Sequence, residues 1–218
     1  MRCAASASLA VTAAAFALWA AAATGAPVVH GHGCVPADAH LLARSSYVRV
    51  FEMPRRRAVE RRTIEACAID HSGHITLLAP KPGDYLLRSL GDFHLAGRIV
   101  AFLETQAGVD SGTTRLVVVD VGARRVLRSL EAGSWGDAGL IDRQAVTRLV
   151  LTARGSIAWI AERTERRQLT NVSVYAAPRA GPPELLDSGT NIAPDSLALS
   201  GTTLRWSHAG AVRTARMP

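Results

Sequence analysis

From residue 40 onward, short apolar runs alternate with tight turns, and the runs fall into sets. Residues 40–51 (HLLARSSYVRVF), 94–102 (HLAGRIVAF), 151–159 (LTARGSIAW) and 197–206 (LALSGTTLRW) share one form. Each is an apolar run, a turn built on Ser or Gly, and a second apolar run closing on an aromatic: Phe51, Phe102, Trp159 or Trp206. A third run follows each pair: TIEACAI around Cys67, RLVVVD ending at Asp120, NVSVYA around Tyr175 and AVRTARM near the C-terminus. Fourth runs follow at 74–78, 126–130 and 184–186, and the last set has none. β-Branched residues dominate, and a 3.6-residue period is nearly absent beyond residue 37. The pattern therefore predicts antiparallel strands, with helix only in the leader.

The closing aromatics are 51, 57 and 47 residues apart. Such a period is the length of one four-stranded sheet with its loops, repeated around a ring. The predicted fold is all-β and β-propeller-like, with about four blades of four antiparallel strands, the last blade incomplete in sequence. The third set, GSIAWIAER followed by NVSVYAAPRAGPPELLDSG, and the second, TTRLVVVDVGARRVLRSL, resemble the repeats of TolB-type, WD40-like β-propellers over roughly residues 40–217. Ala153-Arg154-Gly155-Ser156 stands where that family has a Ser-Pro-Asp-Gly turn. The resemblance implies a propeller fold and no particular activity, because propellers host many unrelated functions. The edge of the incomplete blade is either covered by residues 27–30 or left open.

Ahead of the sets, Arg2 precedes an uncharged, Ala-rich run that reaches Val29, with small residues at 21–26 forming cleavage sites of the A-x-A kind. The chain thus divides into a secretory signal peptide (1–26), a flexible N-terminal segment (27–38) and a propeller-like domain (39–218). Left uncleaved, the run is long enough to span a bilayer, which is the one route to a membrane. Export leaves Cys34 and Cys67 as an even pair in an oxidising compartment, so a disulfide is expected, with two free thiols as the alternative. The expected location is secreted, extracellular or cell-envelope. The formal charge is +7, and 24 of the 25 basic residues are arginine; losing Arg2 leaves +6 (7 − 1). A basic exported surface favours anionic partners such as cell-wall polymers, acidic polysaccharide or lipid headgroups, and no physiological nucleic acid is expected.

Motifs for chemistry are missing: the sequence has no G-x-S-x-G, H-E-x-x-H, C-x-x-C, phosphate loop or EF-hand loop. His30-x-His32-x-Cys34 and His71-x-x-His74 have metal-ligand residue types but too few converging ligands, so neither metal nor cofactor is expected. The matched places of Phe51, Phe102, Trp159 and Trp206 point to core packing. Trp135 stands apart in EAGSWGDAGLIDRQ (131–144), where it is either tucked over the core or exposed for binding.

In a four-stranded meander, turns from the second to the third strand share one end with the links between blades. Residues 53–62, 103–112 and 162–169 are those turns. Arg55, Arg56, Arg57, Arg61, Arg62, Arg163, Arg166 and Arg167 should therefore crowd one face beside Trp135, where they can hold carboxylates or phosphates. The alternative is a solvated rim partly neutralised by Glu60, Glu162 and Glu165. Two functional expectations follow. The favoured one is a non-enzymatic binding or scaffold module for an anionic cell-surface polymer or a protein partner. The other is an exported hydrolase or lyase acting on polysaccharide or a lactone through Glu104, Asp110 and Asp137.

Overall fold

The structure is a computed structural model that describes residues 34–54, 62–71, 73–79, 87–136, 142–166 and 168–218. The expected leader, residues 27–33, Arg55, Arg56, Arg57, Arg61, Arg167 and Asp137 lie outside these residues. Among the described residues there are fifteen strands and no helix. The first sheet holds β1 (His40–Arg44), β2 (Val48–Glu52), β3 (Ile64–Ala68) and β4 (His74–Leu78). The second holds β5 (Leu87–Ala96), β6 (Ile99–Ala107), β7 (Ser111–Asp120), β8 (Arg125–Gly136), β9 (Asp142–Leu151), β10 (Ile157–Glu165), β11 (Gln168–Ala177) and β12 (Glu184–Gly189). The third holds β13 (Ala198–Ser200), β14 (Thr203–His208) and β15 (Ala211–Arg216). Among the described residues every strand pairing is antiparallel between chain neighbours, and no sheet closes on itself.

Four separate sheets were expected, and three are found. The second and third sets merge because β8 and β9 pair at their ends, Trp135 with Arg143 and Gly136 with Asp142. Two residue pairs do not make a flat eight-stranded sheet, and the packing shows that its halves fold onto each other. In β6, Val100 and Phe102 point into a cluster with Val48, Val50, Ile64 and Ala66 of the first sheet. Ile99 and Ala101 point the other way, to Leu149, Ile157 and Trp159 of the β9–β12 half. Ala158, Ile160, Val172 and Val174 then meet Leu204, Trp206, Ile192 and Leu197.

The sets are therefore four layers stacked face to face in chain order, with a dry cluster between each pair. Middle strands bury side chains on both faces, which is why VVV at 117–119 is continuous instead of alternating. In β14, Leu204 and Trp206 are buried while Thr203 and Arg205 face water, because no further layer covers that face among the described residues. Phe102, Trp159 and Trp206 each face the preceding layer, and Phe51 points the same way from the first. Phe51 is fully buried, edge-on to the His74 ring at 5.3 Å. Cys67 lies on that outer face too, and its disulfide to Cys34, with 6.1 Å between α-carbons, draws the N-terminal segment onto the first sheet.

Strand direction alternates, so the chain turns at two rims. Contacts between layers fix which turns share a rim. Arg98 in the β5–β6 turn pairs with Asp70 in the β3–β4 turn. The hydrogen bond to His71 outweighs the opposing effect of desolvation and, with Arg98 also beside it, holds the Asp70 carboxyl below its ordinary pKa. Arg128 of β8 donates to the carbonyls of Pro178 and Gly181 in the β11–β12 turn, and burial lowers its guanidinium pKa. Ser156 in the β9–β10 turn donates to the carbonyl of Pro218 at 2.7 Å. These turns form one rim, the closed rim below. The β2–β3, β6–β7 and β10–β11 turns and the links between layers form the opposite, loop rim.

Gly133 marks the tightest approach between the second and third layers. A β-carbon there would lie 2.3 Å from the Gln144 carbonyl oxygen, a backbone atom that cannot swing aside. Gly133→Ala should cost about 2 kcal/mol in chemical denaturation, since overpacking a fitted contact typically costs 1–3. A neutral substitution would mean that β8 and β9 are less closely packed than described.

Candidate functional site

The loop rim gathers the candidate residues, and the structure sorts them by partner. Arg62 forms an ion pair with Glu52 at 2.5 Å, and this hydrogen bond raises the guanidinium pKa above its ordinary value against slight burial. Arg163 pairs with Glu165 at 3.1 Å. Arg166 is exposed in the β10–β11 turn with φ of 49°, and among the described residues it has no hydrogen-bond or ion-pair partner. Of the eight predicted arginines, the described ones are thus two that are internally neutralised and one that is free for a ligand.

Arg143 was not among the predicted residues, although the same strand-direction argument reaches it. It opens β9 directly after the link from β8, so it must lie on the loop rim. Its pairing with Trp135 brings it beside that ring, it is exposed, and its guanidinium has no partner among the described residues, although its carbonyl accepts from Thr164 Oγ1 at 3.4 Å. Trp135 combines both expected situations. The benzo half of its indole lies against the α-carbon of Gly112, where a β-carbon would sit 2.1 Å from Cζ2, yet the side chain is only half buried. The absence of a side chain at Gly112 is what lets the ring settle there.

Trp135 and Arg143 line a cleft of about 490 Å³ between the second and third layers. Leu103 and Val146 supply apolar wall, and Thr105 and Thr114 supply hydroxyls whose oxygens are 3.4 Å apart across β6 and β7. Gln144 donates to the Ala132 carbonyl at 3.3 Å, which fixes that side chain at the cleft wall. Among the described residues, no carboxylate lines the cleft. The cleft is in the size range of small-molecule sites and has a mixed apolar and hydrogen-bonding wall with one guanidinium.

The carboxylates of the enzymatic expectation are not brought together among the described residues. Glu104 is 9% exposed and occupied: Arg88 Nε donates to it at 3.0 Å and Gln106 Nε2 at 3.2 Å. Asp110 is exposed in the β6–β7 turn. The histidines pair with carboxylates, His71 with Asp70 at 2.8 Å and His74 with Glu65 at 3.0 Å. Cys34 is committed to its disulfide. No group of three or more His, Cys, Asp or Glu able to hold a metal occurs among the described residues. Compared with known proteins, the chain matches no protein-family model and no curated protein sequence.

Proposed function

We propose that the chain is an exported, non-enzymatic binding module of propeller-type blades whose loop rim holds an anionic cell-surface polymer. Two observations and one general rule support the parts of this reading. The first strands of successive layers touch, β1 with β5, β5 with β9 and β9 with β13, which is the arrangement expected where blades gather around a common axis. The Cys34–Cys67 bridge suits an oxidising location. A rigid scaffold carrying binding groups on its loops is the usual division of labour between core and surface.

The observation that carries the binding reading is the pair of unpartnered guanidiniums, Arg143 and Arg166, on the rim that also holds Trp135. A guanidinium without an internal carboxylate keeps its five donors for a ligand and binds carboxylate or sulfate in a two-pronged geometry. The surrounding charge, +6 once Arg2 is removed, raises the local concentration of a polyanion. Retention on a sulfated-polysaccharide matrix tests it. Arg143→Gln with Arg166→Gln should weaken retention about tenfold at ~0.1 M salt, roughly 0.7 kcal/mol per exposed guanidinium. Unchanged elution would remove the rim as the binding surface.

A further inference from the structure

The cleft beside Trp135 is more specific than a charged rim requires. Its ring is seated against Gly112, so it is held in place before any ligand arrives. One guanidinium, Arg143, stands at its side without a partner among the described residues, and two threonine hydroxyls, Thr105 and Thr114, complete the polar wall. Leu103 and Val146 keep the remaining wall apolar. A ligand matching all of these needs an apolar face, several hydroxyls and one anionic group on a compact ring.

We propose that this cleft binds a carboxylated sugar unit of an acidic oligosaccharide, its C–H face against Trp135 and its carboxylate on Arg143. The inference rests on the anionic-polymer reading and names the chemistry recognised within it. A pyranose presents axial C–H groups on one face, which suit an aromatic ring, and hydroxyls at its edge, which suit threonine. The carboxylate accepts two parallel N–H bonds from one guanidinium, a geometry that a lysine could not reproduce. Among the described residues, the lining carries no carboxylate to repel the ligand's charge. The 490 Å³ volume leaves room for a ring and part of its neighbour, so the site would read a unit within a chain.

The test uses a tetrasaccharide of alternating glucuronate and N-acetylglucosamine, with neutral cellotetraose as the comparison, followed by tryptophan fluorescence. Trp159 and Trp206 are buried, 3% and 4% exposed, so among the described tryptophans the signal reports Trp135. The acidic tetrasaccharide should give a saturable change, and cellotetraose should bind about tenfold more weakly, the loss expected when one charge-assisted pair is removed. Arg143→Gln should weaken the acidic sugar about tenfold and cellotetraose by much less, so that the preference between the two sugars collapses. Gly112→Ala, which pushes the ring from its seat without touching a hydrogen bond, should also weaken both sugars. Equal binding of the two sugars, or an Arg143→Gln protein with wild-type affinity, would overturn the proposal. Retention that still depends on Arg166 while the tetrasaccharide gives no saturable change overturns the cleft and leaves the rim standing. Saturable binding without rim-dependent retention does the reverse.

Discussion

Asp187→Ala should destabilise the protein by about 3 kcal/mol, which for a chain of this size lowers the melting temperature by about 6–12 °C. The carboxylate is 6% exposed and joins two layers. Its Oδ2 accepts from Trp206 Nε1 at 2.7 Å and from His208 Nδ1 at 2.9 Å, and its Oδ1 accepts from the Ser188 backbone N–H at 2.9 Å and from Arg213 at 3.2 Å. Asp187 lies at the end of the third layer, in β12, whereas Trp206, His208 and Arg213 belong to the fourth. Removing the acceptor leaves the Trp206 N–H buried without a partner, and that desolvation accounts for most of the cost. Asp187→Asn, which keeps one oxygen for Trp206, should cost less than the alanine variant. If both variants melt like the wild type, the junction between the third and fourth layers does not depend on this carboxylate.

The same residue predicts an acid-side pH dependence. Burial is the largest single influence on its carboxyl and by itself would raise the pKa. The Trp206, His208 and Ser188 donors, with Arg213 nearby, together outweigh it, so the folded pKa lies below the ordinary value. The unfolded chain therefore takes up this proton first as pH falls. The stabilisation is complete above the unfolded pKa of ~4 and is lost as pH drops through the folded pKa. The difference in melting temperature between wild type and Asp187→Ala should accordingly be constant near neutrality and shrink below about pH 4.

Loss of the disulfide is the other large effect. Cys34 and Cys67 are 33 residues apart, and closing a loop of that length removes about 4 kcal/mol of unfolded-state entropy in the chain-entropy model. The double variant Cys34→Ala, Cys67→Ala should lose about 3 kcal/mol, alanine being chosen so that no hydroxyl is buried at the fully buried Cys67 position. Part of this cost is native: the bridge holds residues 34–39 to the Phe51 face of the first sheet. Reductant should lower the melting temperature of the wild type and leave that of the double variant unchanged. A wild type indifferent to reductant would show that the bridge contributes nothing.

Much of the strand plan was legible because each strand's two faces have distinct fates. β4 matches the expected 74–78, and β7 ends at Asp120 as expected. The short fourth set appears as a three-stranded sheet whose outer face alternates polar residues, as β14 shows. The merging of the two middle sets was not legible. It depends on Trp135 and Gly136 reaching residues 142 and 143 across a Gly-rich link, and no periodic pattern encodes where a link lets two strands meet. The Asp187 junction was hidden for a similar reason, since its partners lie 19–26 residues away and come together only when layers stack.

At the loop rim, turn identity was readable from strand counting, whereas pairing was not. Glu165 neutralises Arg163 two residues along β10, as the solvated-rim alternative anticipated, but Arg62 turns to Glu52, a strand residue outside the turn. Arg143 went unnoticed because it stands alone in sequence. Only the β8–β9 pairing sets it beside Trp135, and a single arginine carries no run or spacing to mark it.

The central claim is that anionic ligands bind at one rim, not merely to a basic protein. The most direct measurement compares two variants of equal charge on a sulfated-polysaccharide column. One carries Arg143→Gln and Arg166→Gln at the loop rim; the other carries Arg154→Gln and Arg179→Gln in the β9–β10 and β11–β12 turns at the closed rim. Elution at clearly lower salt for the first, with the second close to wild type, is the predicted result. Equal losses in both variants would contradict it, because net charge alone would then explain retention.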